Sequence, residues 1–180
     1  EDMFIEVIST SKISFAGGGI SAVIASDANI AEIKKRMSIQ IISNDKINQL
    51  RHARYFKNLD GIKAHMKKQA AILKPKFDTV TDGFEKAFDG TGIASWKKPN
   101  GGYFISLFVM NGCAKRVGQL CKEAGLTLTT VGATYPYGID PDDSNIRIAP
   151  SYPDVDELQK AVELLCICVK LAAVEKLTEE

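Results

Sequence analysis

Apolar residues along this chain recur in two rhythms, and the change of rhythm marks out its elements. Near the start, Met3-Phe4-Ile5 and Val7-Ile8 make an almost unbroken apolar run, and residues 21–26 make a second one of small and branched side chains. Short continuous runs of this kind predict strands buried on both faces. The spacing then shifts to i, i+3 and i+7 at Ile30, Ile33 and Met37, which predicts a helix capped by Asp27 or Asn29. A second helix, opened by Ser43-Asn44-Asp45, carries Ile47, Leu50 and Arg54. From 59 to 88 one periodic stripe runs through Ile62, Met66, Ala70, Leu73, Phe77, Val80, Phe84 and Phe88, and a single long helix is expected. Pro75 lies inside it, contributes no amide donor, and is expected to kink it.

Beyond Asp89-Gly90 the pattern becomes mixed. Residues 93–96 and 103–109 predict strands on either side of the turn Lys98-Pro99-Asn100-Gly101-Gly102. A helix over about 114–124 should stop at Gly125. Residues 127–131 and 146–149 predict two further short strands, and the acids Asp154, Asp156 and Glu157 open a final helix with Val162, Leu165, Val169 and Leu171 inside. The second half is therefore α+β. The first half is a different case, because two buried strands without visible partners cannot satisfy their own edges. Residues 1 to about 40 accordingly read as the tail of a larger domain whose start lies upstream, and the long helix as a strut between two lobes.

Composition narrows the function classes. The chain has 180 residues, 45% of them hydrophobic, and a net charge of +1, which makes no electrostatic case for nucleic acid or an acidic membrane surface. No apolar run approaches the roughly 20 residues that span a bilayer, and the first residues lack the pattern of a signal peptide. Cys113, Cys121, Cys166 and Cys168 have neither zinc-site nor CxxC spacing and read as small buried hydrophobes, from which a cytoplasmic location follows. His52 and His65 lack a second ligand at metal spacing and read as surface or packing residues, while Lys34-Lys35-Arg36 and Lys67-Lys68 read as solvated faces. No metal is implied. Trp96 and Phe104 read as core, and Tyr135 and Tyr137 around Pro136 are candidates to approach a site.

Two places carry candidate chemistry. Lys12 follows the first strand within Ser9-Thr10-Ser11-Lys12-Ile13-Ser14, directly before Gly17-Gly18-Gly19. Ligands of open α/β sheets collect at such a strand end. A lysine nucleophile there needs a neutral amine, and such amines form Schiff bases with carbonyl compounds. An ordinary exposed loop lysine fits the same composition, and the glycines fail the GxGxxG pattern because Ile20, Ser21 and Ala22 follow them. The second place is Arg147, set between Ile146 and Ile148 in a strand ended by Pro150. A guanidinium in a largely buried strand needs a carboxylate or phosphate, bound through its fork. An internal ion pair with Asp140, Asp142 or Asp143 would serve equally well.

Taken together, four stretches in order carry a family resemblance along essentially the whole chain: Ser9-Thr10-Ser11-Lys12 with its glycines, residues 44–52, Pro99-Asn100-Gly101-Gly102-Tyr103-Phe104, and Asn145-Ile146-Arg147-Ile148-Ala149-Pro150. The chain resembles the C-terminal portion of a fold-type I aminotransferase of class I/II that depends on pyridoxal phosphate, within the bacterial aspartate aminotransferase-like branch. The resemblance implies an α/β fold with the end of the large-domain sheet and its cofactor-binding tail over 1–58, a linking helix over 59–88, and a small α+β domain over 89–180. It implies pyridoxal 5'-phosphate on Lys12 as a Schiff base, Lys12 as proton shuttle, Ser9 and more weakly Ser11 on the cofactor phosphate, and Arg147 on the substrate α-carboxylate. The partners implied are an amino acid, aspartate-like by preference, and a 2-oxo acid such as 2-oxoglutarate, in a homodimer. Many relatives place a phosphate-binding arginine eight residues after the lysine, where this chain has Ile20. Two alternatives remain: another enzyme of the same cofactor, such as a decarboxylase or lyase, or a ligand-sensing domain of a transcriptional regulator. The 180 residues alone are expected to be inactive.

Overall fold

Strands β1 (Ile5–Ser9) and β2 (Ser21–Ala25) pair with each other, antiparallel, with Ile5 opposite Ala25 and Ser9 opposite Ser21. This computed structural model describes residues 2–179 and divides them into two compact units between Ala71 and Ile72. The strands expected to lack partners are thus each other's partner, through a loop of eleven residues, 10–20. They are also exposed along nearly their whole length, against the expectation of burial. A two-stranded sheet covers neither of its own faces, and an apolar run records what a strand needs above it rather than what this chain supplies.

Helix α1 (Asp27–Gln40) is capped one residue earlier than expected, by Ser26, whose hydroxyl accepts the Asn29 N–H at 3.3 Å. Asp27 instead occupies the first turn, where its charge suits the positive end of the helix. Helix α2 (Lys46–Phe56) is capped as expected by Asp45, which accepts the Asn48 N–H at 2.9 Å. Lys57, at a left-handed φ of 62°, turns the chain into α3 (Leu59–Phe88). Here Gly61 is required, because a Cβ at this position would lie 1.9 Å from the Phe56 carbonyl oxygen. Pro75 does not end α3, although the Ala71 carbonyl receives no amide from it.

In the unit ending at Ala71, a knot of rings replaces an aliphatic core. Phe15 packs against His52, Tyr55, Phe56 and His65, with ring centres 5.0 to 5.9 Å apart. His52 and Phe56 are its buried members. The knot fixes the segment just after Lys12 onto α2 and the first turns of α3.

The second unit holds a three-stranded antiparallel sheet in the order β3 (Ala94–Trp96), β4 (Ile105–Val109), β5 (Asn145–Ile148). Ile105 lies opposite Ile148 and Ser106 opposite Arg147. Period-2 alternation buries Ile105, Leu107, Ile146 and Ile148 against the later turns of α3 (Val80, Phe84, Phe88) and against α5 (Val155–Glu179). Helix α4 (Ala114–Glu123) adds Val117 and Cys121, and stops before Gly125 at φ +86°. Residues 127–131 form no strand. Their branched side chains favour extension, yet no strand hydrogen-bonds to them, and the chain turns at Gly132, where a Cβ would lie 2.2 Å from the Gly138 carbonyl oxygen. Among the described residues no helix is long and apolar enough to cross a membrane.

Candidate functional site

The lysine loop is built from its base outward. Thr10 clamps that base: its N–H donates to the Ile20 carbonyl at 2.8 Å and its hydroxyl accepts the Ile20 N–H at 2.9 Å. A turn over 11–13 then presents Lys12 just past the end of β1. Ser14 closes the turn, donating its N–H to the Thr10 carbonyl at 2.8 Å. Beyond it, His52 places Nε2 3.0 Å from the Ser14 hydroxyl and Nδ1 2.8 Å from the Asn48 carbonyl. A carbonyl can only accept, which assigns a proton to Nδ1. His65 donates from Nε2 to the Ser14 carbonyl at 3.0 Å. Both histidines thus pack against the loop, His52 buried and His65 partly exposed.

In the chain just before the lysine, the Ser9 and Ser11 hydroxyls are 2.8 Å apart. The glycines explain how backbone comes so close to them. A Cβ on Gly19 would meet Ser11 Oγ at 2.5 Å, and one on Gly18 would meet Arg51 Nη2 at 2.2 Å. A cavity of about 490 Å³ opens where the glycine stretch faces α2, lined by Phe15, the three glycines, Asn48 and Arg51 among others, and not by Ser9, Ser11 or Lys12. Arg51 reaches it from α2, donating from Nη2 to Asn48 Oδ1 at 2.6 Å and to the Gly18 carbonyl at 3.3 Å, with its guanidinium over the Phe15 ring at 4.9 Å. Sequence reasoning singled out the stretch 44–52 without assigning Arg51 or His52 a role; their partners lie 33 and 38 residues away.

Arg147 belongs to the other unit. It shares the face of β5 turned away from the apolar core with Asn145, whose amide donates to Ser106 at 2.8 Å and accepts from Thr134 at 2.7 Å. The guanidinium lies 4.6 Å from the centre of the Phe104 ring. Phe104, read from the sequence as core, is half exposed and serves as a platform for the cation. Nε of Arg147 is buried without a hydrogen-bond partner, and among the described residues Arg147 forms no ion pair. Asp140, one of the three candidate partners, is occupied elsewhere: it accepts the backbone N–H groups of Ser144 and Asn145, each at 2.8 Å, and of Asp142 at 3.1 Å. Burial pushes the Asp140 carboxyl up, but the N–H groups outweigh it and hold the group below the usual carboxylate range. Arg147 also borders a cavity of about 440 Å³ between the 125–129 segment and α5. Such an arrangement, a fork with an unsatisfied donor over an aromatic ring, suits capture of a carboxylate.

The four cysteines are free and buried. Tyr135 is half buried, its phenol pushed up by burial and then by Asp140 and Asp142, while Tyr137 is fully exposed.

Comparison with known proteins gives a consistent picture. The model of the aspartate amino-transferase family matches residues 2–180. An aspartate aminotransferase of Corynebacterium glutamicum is 46% identical over 167 residues, covering 93% of this chain and 39% of the relative. The crystal structure of an aspartate transaminase from Corynebacterium glutamicum superposes with a TM-score of 0.92 at 45% identity, over 96% of this chain and 41% of that one. A multiple substrate aminotransferase from Thermococcus profundus shares the fold at 19% identity, with a TM-score of 0.80 over 95% of this chain and 41% of its own. The chain spans about two fifths of the length of these proteins.

Proposed function

The chain belongs to the aspartate amino-transferase family, and on that premise we propose that the intact protein exchanges the amino group of an amino acid with a 2-oxo acid, using pyridoxal phosphate bound at Lys12. The observation that carries this reading is the lysine loop itself: an amine just past a strand end, beside two mutually bonded hydroxyls and a backbone that glycine alone brings into contact with them. A Cβ at Gly19 would intrude on Ser11, so the cradle fits a group held by hydroxyls and backbone. Pyridoxal phosphate, when bound, supplies the electron sink that acidifies the substrate Cα.

The chain's own residues then have separable tasks. Ser9 would donate its hydroxyl proton to the cofactor phosphate, with Ser11 donating in turn to Ser9 Oγ. Lys12 would hold the cofactor and, once released, its amine would take the proton from the substrate Cα and deliver it to C4′ of the cofactor. Arg147 holds the α-carboxylate through its fork, with Phe104 beneath it and its buried Nε at last satisfied. Fixing the carboxylate limits how the substrate turns, and the bond broken depends on that orientation. Aspartate with 2-oxoglutarate is the favoured pair, in a cytoplasmic homodimer whose large domain includes residues 1–58, joined by α3 to a small domain over 89–180. The relatives' names and the family support aspartate as the amino donor. The 180 residues by themselves are expected to be inert, since they span about two fifths of the relatives' length.

Borohydride reduction of the intact protein loaded with pyridoxal phosphate tests the reading. Label should appear on Lys12 and vanish, with turnover of aspartate and 2-oxoglutarate, in Lys12→Ala. Label on a different lysine would reject it.

A further inference from the structure

A phosphate dianion beside Ser9 and Ser11 needs a cation within hydrogen-bond reach, since hydroxyls alone do not offset the loss of its hydration. The lysine loop has none to spare: residues 13–26 contain neither arginine nor lysine, and Lys12 is committed to the aldehyde. We infer that Arg51, delivered from α2, is the cation of the phosphate pocket. This rests on the function proposed above and names a residue for it that the motif does not contain.

The argument is one of adjacency. Ser9 Oγ touches Ser11 Oγ, Ser11 Oγ sits against Gly19, and the preceding residue, Gly18, sits against Arg51 Nη2. Gly18 and Gly19 are consecutive, with Cα atoms about 3.8 Å apart. Hydroxyls and guanidinium therefore meet consecutive glycines of one loop, and a phosphate held at that loop would draw on both. The guanidinium is also preorganised. Nη2 is tied to Asn48 Oδ1 and the Gly18 carbonyl, and the group lies over the Phe15 ring. Among the described residues Nε and Nη1 have no hydrogen bond, so their three N–H groups remain for an anion. Asp45 lines the same cavity, but its carboxylate caps α2 through the Asn48 N–H and forms no ion pair with Arg51. Only glycine at position 18 lets the guanidinium come this close.

Apoprotein of the intact protein, titrated by absorbance with pyridoxal phosphate and with pyridoxal, separates the phosphate's contribution from that of the aldehyde. Arg51→Ala should weaken pyridoxal phosphate binding about ten- to hundredfold and leave pyridoxal binding unchanged. Gly18→Ala, which displaces the guanidinium, should shift the same preference in the same direction. Equal affinity of wild type and Arg51→Ala for pyridoxal phosphate would overturn the inference. So would an equal loss for both aldehydes, which would make Arg51 a clamp on the glycine loop only. If neither aldehyde forms an adduct with the wild-type protein, the functional reading fails on its own account. Inorganic phosphate followed by ³¹P NMR then decides: binding that Arg51→Ala abolishes supports the inference, and absent or unaltered binding overturns it.

Discussion

Asp140 accepts the backbone N–H of Asn145 at 2.8 Å, and in doing so it is withdrawn from Arg147 two residues further on. The carboxylate that could have neutralised the guanidinium organises the turn before β5 instead. Two outcomes follow for Asp140. Its folded pKa lies below the unfolded value, so the native state binds fewer protons in the acid range. The stability it contributes is complete above the unfolded carboxyl pKa of about 3.9 and is lost as pH falls through the folded value. Asp140→Asn should lower the urea midpoint at neutral pH and flatten its decline in acid. A decline as steep as wild type would show that other carboxylates govern it.

Replacing Arg147 by lysine keeps the charge and removes the fork. Steady-state kinetics of Arg147→Lys in the intact protein should show kcat/KM reduced by about 2 kcal/mol or more. Unchanged kcat/KM for several amino acids would return Arg147 to a purely structural role.

Burial pushes the Cys121 thiol up to about 12, with Cys168 beside it adding to the effect, and Cys166 up to about 11. Thiols held protonated are poor nucleophiles. Iodoacetamide at about pH 8, near the ordinary thiol pKa, should leave both unmodified in the native protein and label them after unfolding, read by mass spectrometry. The raised values also carry a sign for stability. Above about pH 8.5 the unfolded chain sheds thiol protons that the native state retains, so stability should fall as pH rises. Rapid native labelling of Cys121 would contradict this placement.

Phe84 is fully buried, with ring centres 5.8 Å from Phe88 and 5.7 Å from Trp96. Phe84→Ala should cost about 3–5 kcal/mol. Trp96 is the sole tryptophan, so its fluorescence follows both the unfolding midpoint and the loosened packing. A loss below about 1 kcal/mol would mean that the core closes over the gap.

Local patterns were legible wherever one element sufficed to explain them. The stripe from Ile62 to Phe88 gave α3 because eight turns of consistent period leave little room for another reading. Arg147 between two buried isoleucines announced itself by alternation alone. The glycine after α4 and the cap at Asp45 were equally local. What escaped was relational. Pairing of β1 with β2 depends on the loop between them, and Ser26 outcompeted Asp27 as a cap by one residue of backbone geometry. Residues 127–131 had strand propensity without a partner. His52 read as a surface or packing residue and Arg51 carried no reading of its own, because the groups that engage them, Ser14 and Gly18, come from the lysine loop.

Pro75 removes the one amide that would close on the Ala71 carbonyl, and the two compact units divide at that same residue. A helix of 30 residues with a missing rung at its middle is held by different neighbours on each side of it. In native-state hydrogen exchange α3 should therefore behave as two blocks. Amides after Val80 should exchange only with global opening of the core they share with Phe84. Those before Ala71 should follow the slower or faster breathing of the ring knot around Phe15, on a clock of their own.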